Sequence, residues 1–463
     1  MDRQKITGIA GFQRSLKGLK AIACAVALYA AGSAQAQTAF DWSSDPITGP
    51  TPPVAGYIPA PFLKGATPGP SNSAAVGTYL AGQPIKALKI DNNQVLSPTD
   101  FSNVYGTNNV NYTFIDKEGV NAAADALAIR NSIAASAGTG PALIANQSFV
   151  GNFRMFPGTG DTSGVGSGPS LAAYLSSGMN MANEDLYPGS PSYKNPSQFG
   201  GTSASPNIRS TLFTLPINRL TYVTSQLPTG NKNIPYVDRF NNWGNASLQN
   251  GTAQGQPAFI PGATPNTANQ MLSRGDFSAM IAHYRLRGAD GYHLLDGGVV
   301  GYTQAQFEQD AQTGWNLPAI SAVFSGGGAH LASLDTVTRV DGVVTPNESS
   351  GVVASGVYSL TQAGGLGKLA LLVSNMDEIS HNVDFQQKIG GKTVPGVFSI
   401  GAGQHKLLDF TGAGTQWALQ NVGGTAVFVD TNRNDIGVPE PTMVGGLALL
   451  GCFGIARRRK ATV

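Results

Sequence analysis

Apolar positions in the middle of the chain alternate between two periods. Val120, Ala123, Ala124, Leu127 and Ala128 repeat at helical spacing, which puts them on one helix face. Gly138 and Gly140 end that pattern, and Ala142-Leu143-Ile144-Ala145 follows as a short unbroken apolar run, the signature of a buried strand. Ser170 to Ser176 predicts a short helix, and Met179 to Asn183 the next strand. Pro216 suits the first turn of a helix that carries Leu220, Val223 and Leu227 on one side and stops at Pro228-Thr229-Gly230. Ile234 to Val237 is again strand-like. Ser273 with Asp276 has the spacing of a capping box, ahead of the stripe Phe277, Met280, Ile281 and Tyr284, and Tyr292 to Leu295 closes the series as a strand.

Repeated helix–strand units call for parallel strands with right-handed crossovers. A barrel or an open doubly wound sheet satisfies that rule, and an irregular (β/α)-barrel over residues 110–317 is the α/β architecture expected here. The flanks read differently. Residues 37–109 form an entry segment whose first part carries Pro46, Pro50, Pro52, Pro53, Pro59, Pro61, Pro68 and Pro70; such a stretch predicts surface loop rather than central strand. Ala87 to Ile90 and Tyr112 to Ile115 are short strand candidates. From 318 to 432 the pattern becomes short β-rich runs, among them Val352–Leu360, Leu369–Ser374, Val394–Ile400 and Lys406–Phe410, separated mostly by Gly or Asn. This predicts a small all-β sandwich after the α/β domain.

Both extremities are apolar and basic. Arg3, Lys5, Arg14, Lys17 and Lys20 precede the apolar run Ala21 to Ala31, and Ala34-Gln35-Ala36 offers an A-x-A cleavage site, so residues 1–36 read as a secretory signal peptide. At the other end Pro439-Glu440-Pro441 is followed by the uncharged stretch Thr442 to Ala456 and then by Arg457, Arg458, Arg459 and Lys460. An apolar stretch closed by cations predicts a single membrane helix with its basic end in the cytoplasm, although it falls short of the roughly 20 residues of a comfortable span. Residues 438–463 resemble the PEP-CTERM sorting tail of Gram-negative bacteria. The resemblance implies export across the inner membrane with the Sec machinery as partner and transient anchoring by the tail. An exosortase would then recognise and remove the tail, delivering the protein to the cell envelope or the exterior.

Removing both ends changes the charge. They hold nine of the 29 Lys and Arg and one of the 27 Asp and Glu, so residues 37–441 carry 20 basic against 26 acidic side chains, a net of −6. Nucleic acid is therefore not an expected partner, because phosphate contacts need clustered cations. Cys24 and Cys452 also lie in the ends, leaving the body without a thiol for a disulfide, metal site or nucleophile. The five histidines show no H-E-x-x-H or H-x-H spacing, there is no G-x-S-x-G elbow, and Gly326-Gly327-Gly328 lacks the Lys of a phosphate loop. No metal and no cofactor are implied.

Carboxylates follow the predicted strands: Asp116, Glu184 with Asp185, Asp238 and Asp296. A parallel barrel keeps its site at the C-terminal ends of its strands, and glycoside hydrolysis needs two carboxyl groups. Glu184 and Asp238 are the candidate catalytic pair. Tyr187, Arg239, Trp243, Tyr292 and Asp296 are candidate substrate-binding residues, the aromatics by stacking on sugar rings. Asp296 before Gly297-Gly298 also reads as a turn residue, and His293 as an interior histidine whose role in substrate binding is open. The phrase Tyr284 to Leu295 resembles the last helix–strand unit of glycosidase-type barrels, which implies a polysaccharide substrate or ligand. The alternative is a non-catalytic envelope or matrix protein with a degenerate barrel.

Overall fold

The computed structural model describes residues 38–43, 57–65, 71–90, 95–116, 122–136, 143–148, 179–186, 208–237, 273–294, 304–330, 338–339, 342–343, 352–360, 366–376, 380–385, 388–421 and 423–428. Its first half contains nine strands: β1 (Thr38–Ser43), β2 (Tyr57–Leu63), β3 (Ala87–Ile90), β4 (Tyr112–Asp116), β5 (Leu143–Ser148), β6 (Met181–Leu186), β7 (Lys232–Asn233), β8 (Tyr236–Val237) and β9 (Gly291–Leu294). Among them run α1 (Ser73–Ala81), α2 (Pro98–Tyr105), α3 (Ala122–Ser136), α4 (Ile208–Gln226) and α5 (Arg274–Leu286), followed by α6 (Gln304–Trp315) and α7 (Pro318–Ser325). All nine strands pair in parallel in the order β5-β4-β3-β2-β1-β9-β8-β6-β7. A further pairing of β5 with β6, through Gln147 with Asn183 and Ser148 with Glu184, draws the arms together into a nearly closed, barrel-like sheet.

Local rules account for several elements. Ser97 and Ser273 cap α2 and α5, each in a reciprocal capping box with Asp100 or Asp276. Gly288 takes φ +99°, turning the chain from α5 toward β9. Asp290 in that turn holds Lys232 at 2.9 Å and the Asn233 amide at 2.9 Å, fastening β7 to the start of β9.

The expected fold class needs correcting. The chain does not form a (β/α)-barrel with a helix after each strand; it is a mixed arrangement of helices and strands around the nearly closed sheet. Only Ile234 and Pro235 separate β7 from β8, so no crossover helix can lie there. Nor is the Pro-rich entry merely loop: β1 and β2 sit in the sheet between β9 and β3. β2 tolerates Pro59 and Pro61 because its pairing with β3 begins only at Phe62, leaving the prolines on a stretch paired to β1 alone. Pro216 lies inside α4 rather than in its first turn, at the loss of one helical hydrogen bond. Among the described residues no helix is long and apolar enough to cross a membrane; the stretch expected to form the membrane helix, 442–456, lies outside them. The signal peptide, the sorting tail and the predicted helix 170–176 lie outside the described residues.

The C-terminal strands are β10 (Ala329–His330), β11 (Thr338–Arg339), β12 (Gly342–Val343), β13 (Val352–Ser359), β14 (Lys368–Asn375), β15 (His381–Asp384), β16 (Lys388–Ile389), β17 (Lys392–Thr393), β18 (Val397–Ile400), β19 (His405–Ala413), β20 (Gln416–Leu419) and β21 (Thr425–Val427). They form one sheet in the order β10-β13-β14-β19-β20-β17-β16, with β21 on β19, and a second in the order β12-β11-β15-β18. Val352, Ala354, Leu371 and Val373 meet Val383, Phe398 and Ile400 across a shared core. A separate sandwich would leave the outer face of the large sheet in water. Here that face is covered: Val357, Ala370, Leu372 and Leu407 pack against Ala282 and Leu286 of α5 and Ile320 and Val323 of α7. The sheet and the barrel-like half thus share α5.

Candidate functional site inside the barrel-like sheet

Alternation along each strand decides what faces inward. Leu88 and Ile90 of β3 pack outward against α1, α2 and α3, so Ala87 and Lys89 turn inside. Ile58 and Ala60 of β2, Phe114 of β4, Met181 of β6 and Ile234 join Ala87 in an interior cluster. Among the described residues, four polar side chains sit within this apolar frame, Lys89, Asn183, Tyr236 and His293, each no more than 1 % exposed.

Lys89 donates from Nζ to the Tyr236 hydroxyl at 3.4 Å, and its ammonium lies 4.5 Å from the Tyr236 ring and 5.0 Å from that of Phe62. Aromatic faces attract a desolvated cation, which helps hold a charge in this interior. His293 is wedged between Phe114 and Tyr236, with ring centroids 4.3 and 4.8 Å away. Neither of its nitrogens has a hydrogen-bond partner among the described residues. Asn183 donates to the Ile234 carbonyl at 2.6 Å, while its own Oδ1 has no partner among them. Burial, and then the neighbouring Lys89 charge, hold the His293 pKa well below its ordinary value of 6.5. The imidazole is therefore neutral, and the interior offers a cation, a neutral donor–acceptor ring and a free amide oxygen.

The depressed pKa has a thermodynamic sign. Below about pH 6.5 the unfolded chain takes up a proton at His293 that the folded chain refuses, so stability is full above that pH and falls as the pH drops through the window beneath it. The expected slope for this one group is about 1.4 kcal/mol per pH unit. Urea unfolding between pH 7 and pH 5 measures it, and His293→Phe should flatten the profile by one proton's worth; an unchanged slope would show that the ring is protonated in the folded protein.

No family model matches this chain. A search of curated proteins finds no match either. The geometry itself is the guide to the site.

All nine strands run the same way, so the chain leaves them at one end of the sheet. Of the connections from a strand to the next helix, the longest are residues 187–207 after β6 and 238–273 after β8, whereas 64–72, 91–97 and 117–121 are short. Those at the opposite end are 82–86, 106–111, 137–142, 227–231 and 287–290. In 238–273 the only charged residues are Asp238 and Arg239, amid many Asn and Gln together with Phe240, Trp243 and Phe259. Of the residues singled out from the sequence, Glu184 lies in β6 and pairs through its backbone with Ser148; its side chain, together with Tyr187, Asp238, Arg239, Trp243 and Asp296, lies outside the described residues. In the sequence Tyr187 directly follows β6 and Asp238 directly follows β8. Tyr292 turns away from the interior. Its ring is fully buried among α4, α5 and α6, edge-on to Trp315 at 5.0 Å, and the inward residue of β9 is His293. Sequence reasoning passed over Lys89, Asn183 and Tyr236. The one signal for Lys89 was a charge inside the apolar run Ala87-Leu88-Lys89-Ile90.

Proposed function

We propose that the protein is an exported envelope or extracellular protein that binds polysaccharide at the C-terminal end of its parallel sheet. The observation that carries this reading is the interior cluster of Lys89, Asn183, Tyr236 and His293 in a parallel sheet, whose strands β6 and β8 are followed in the sequence by the long segments 187–207 and 238–273. Loops on a rigid scaffold are where binding residues gather. Uncharged amides and aromatic rings are the groups that bond sugar hydroxyls and stack on sugar faces; 238–273 is rich in Asn and Gln and carries Phe240, Trp243 and Phe259, and 187–207 carries Tyr187, Tyr193 and Phe199. Export by the Sec machinery, temporary anchoring by residues 438–463 and removal of that tail by an exosortase complete the proposal; Pro439, Glu440, Pro441 and the basic residues Arg457, Arg458 and Arg459 carry the sorting step. If the bound glycan is also cleaved, Glu184 and Asp238 act as the acid and the nucleophile or base.

The exported form titrated with the producer's own extracellular polysaccharide tests this. Binding is expected, and Trp243→Ala should weaken it at least tenfold, about 1.4 kcal/mol, by removing a ring that stacks on the sugar. Absence of binding at millimolar sugar sinks the proposal. Reducing ends released by the wild type and abolished in Glu184→Gln and Asp238→Asn assign hydrolysis. Binding without release in all three supports a non-catalytic matrix protein, a reading favoured by how fully the described interior side chains fill the sheet.

A further inference from the structure

The contact between α5 and the large β-sheet contains an uninterrupted line of buried polar groups. Arg287, just past the end of α5, donates from Nε to Ser355 Oγ at 2.7 Å and from Nη2 to the Ala354 carbonyl at 2.6 Å. Ser355 Oγ lies 2.7 Å from His283 Nδ1, and His283 Nε2 lies 2.8 Å from Ser374 Oγ. Ser374 Oγ is 2.8 Å from His405 Nδ1, and His405 Nε2 is 3.0 Å from Asp276 Oδ1. The other Asp276 oxygen accepts from the Ser273 amide at the start of α5. The two rings, both serines and Asp276 are all at most 2 % exposed.

Donor and acceptor chemistry orients this line. A guanidinium can only donate, so Ser355 accepts from Arg287; the arrangement that also uses the serine's own hydrogen within the line sends it to His283 Nδ1. His283 then carries its hydrogen on Nε2 and gives it to Ser374. Ser374 passes its proton to His405 Nδ1, and His405 donates from Nε2 to the Asp276 carboxylate. Every hydrogen in the line has one acceptor, provided both imidazoles are neutral Nε2–H tautomers. A proton added to His283 turns Nδ1 into a second donor toward Ser355, whose own hydrogen then loses its acceptor.

We propose that this line is an acid-released latch between α5 and the β13–β14–β19 sheet. At neutral pH it fixes the β-sheet half against the barrel-like half; acidification breaks its polarity and loosens the contact. Among the described residues the charged groups facing the two rings are Arg287 and Asp276, both contributed by the α5 segment; β13 and β14 present serines, and α4 presents Phe213 and, beside Arg287, Thr221. Burial first, and then Arg287 and His405, hold the His283 pKa well below its ordinary value, in keeping with a neutral ring at rest. The latch does not depend on what the barrel-like half binds.

With five histidines in the chain, nitrogen-15 spectra of the histidine-labelled exported protein resolve the tautomers. Two rings should show the neutral Nε2–H form at pH 7.5. Lowering the pH to 5 should speed amide exchange at least tenfold in α5, β13 and β14 and leave α1 and α2 unaffected. Ser374→Ala, which removes the hydroxyl shared by both rings, should show the fast exchange already at pH 7.5 and no further acid response. The latch is overturned by a charged or Nδ1–H ring at neutral pH, by exchange that is indifferent to acid or accelerates equally in α1 and α2, or by a Ser374→Ala protein with the wild-type acid response. Should Ser374→Ala not fold, the wild-type spectra and exchange decide alone.

Discussion

Valine at position 314 is expected to destabilise the protein by about 3 kcal/mol or more, although it replaces the poorest helix former but proline. Gly314 lies in the last turn of α6, where a Cβ would overlap the Ser278 carbonyl of α5 and come within 3.1 Å of Ile281 Cβ. The two helices cannot separate to make room. Phe277 stacks on Phe307 at 5.0 Å, Arg274 grips Asp310 through two hydrogen bonds at 2.8 and 2.9 Å, and Ser278 Oγ donates to the Asp310 carbonyl at 2.8 Å. Even Gly314→Ala should lose stability, against its gain of up to about 1 kcal/mol in helix propensity. The urea midpoint of each variant measures the effect. An alanine protein as stable as the parent would show that the α5–α6 contact yields, and with it the rigidity on which the latch depends.

Trp417→Ala should cost about 4 kcal/mol. The side chain is fully buried in the core shared by the two C-terminal sheets, and truncating a buried tryptophan costs about 3–5 kcal/mol through lost transfer energy and the cavity left behind. Its indole N–H also donates to the Ile389 carbonyl at 2.9 Å, tying β20 to β16, so part of the loss comes from an acceptor left dry. Gly367 fits against the ring: a Cβ there would stand 3.0 Å from Trp417 Cη2. Trp417→Phe separates the two contributions, keeping most of the volume and losing the donor; about 1–2 kcal/mol is expected in that case. Chemical denaturation followed by tryptophan-independent far-UV signals checks both. A Phe variant as damaging as the Ala variant would mean that shape rather than burial sets the cost.

Elements bounded by short-range chemistry were legible in the chain. Ser273 and Asp276 announced the start of α5 because a capping box is made within four residues. Ile234 to Val237 read as strand-like from its own pattern, and residues 236–237 pair in the sheet. The Pro-rich entry was misjudged because a proline is unwelcome only where its missing N–H would have been used, and the pairing partners of β2 are not local. Pro216 misled in the same way: packing of Phe213 and Ile217 in the core carries α4 through a residue that usually starts or ends a helix.

The site shows the same division. The carboxylates after the strands could be picked out by eye, since acids after strands are visible in any sequence. Lys89 could not, because nothing near it in the chain tells that Phe62 and Tyr236 supply the aromatic faces that hold its charge. Period and capping by themselves marked several of the helices and strands, α5 and the strand at 236–237 among them, and the paired apolar–basic ends carried the whole expectation of export. Only the tertiary structure decided that the entry strands complete the sheet, that α5 serves both halves, and that His405 reaches Asp276 across 129 positions of chain. The reason is physical: propensity and capping act over a few residues, whereas burial and hydrogen-bond partnership depend on segments that meet only after the chain has folded.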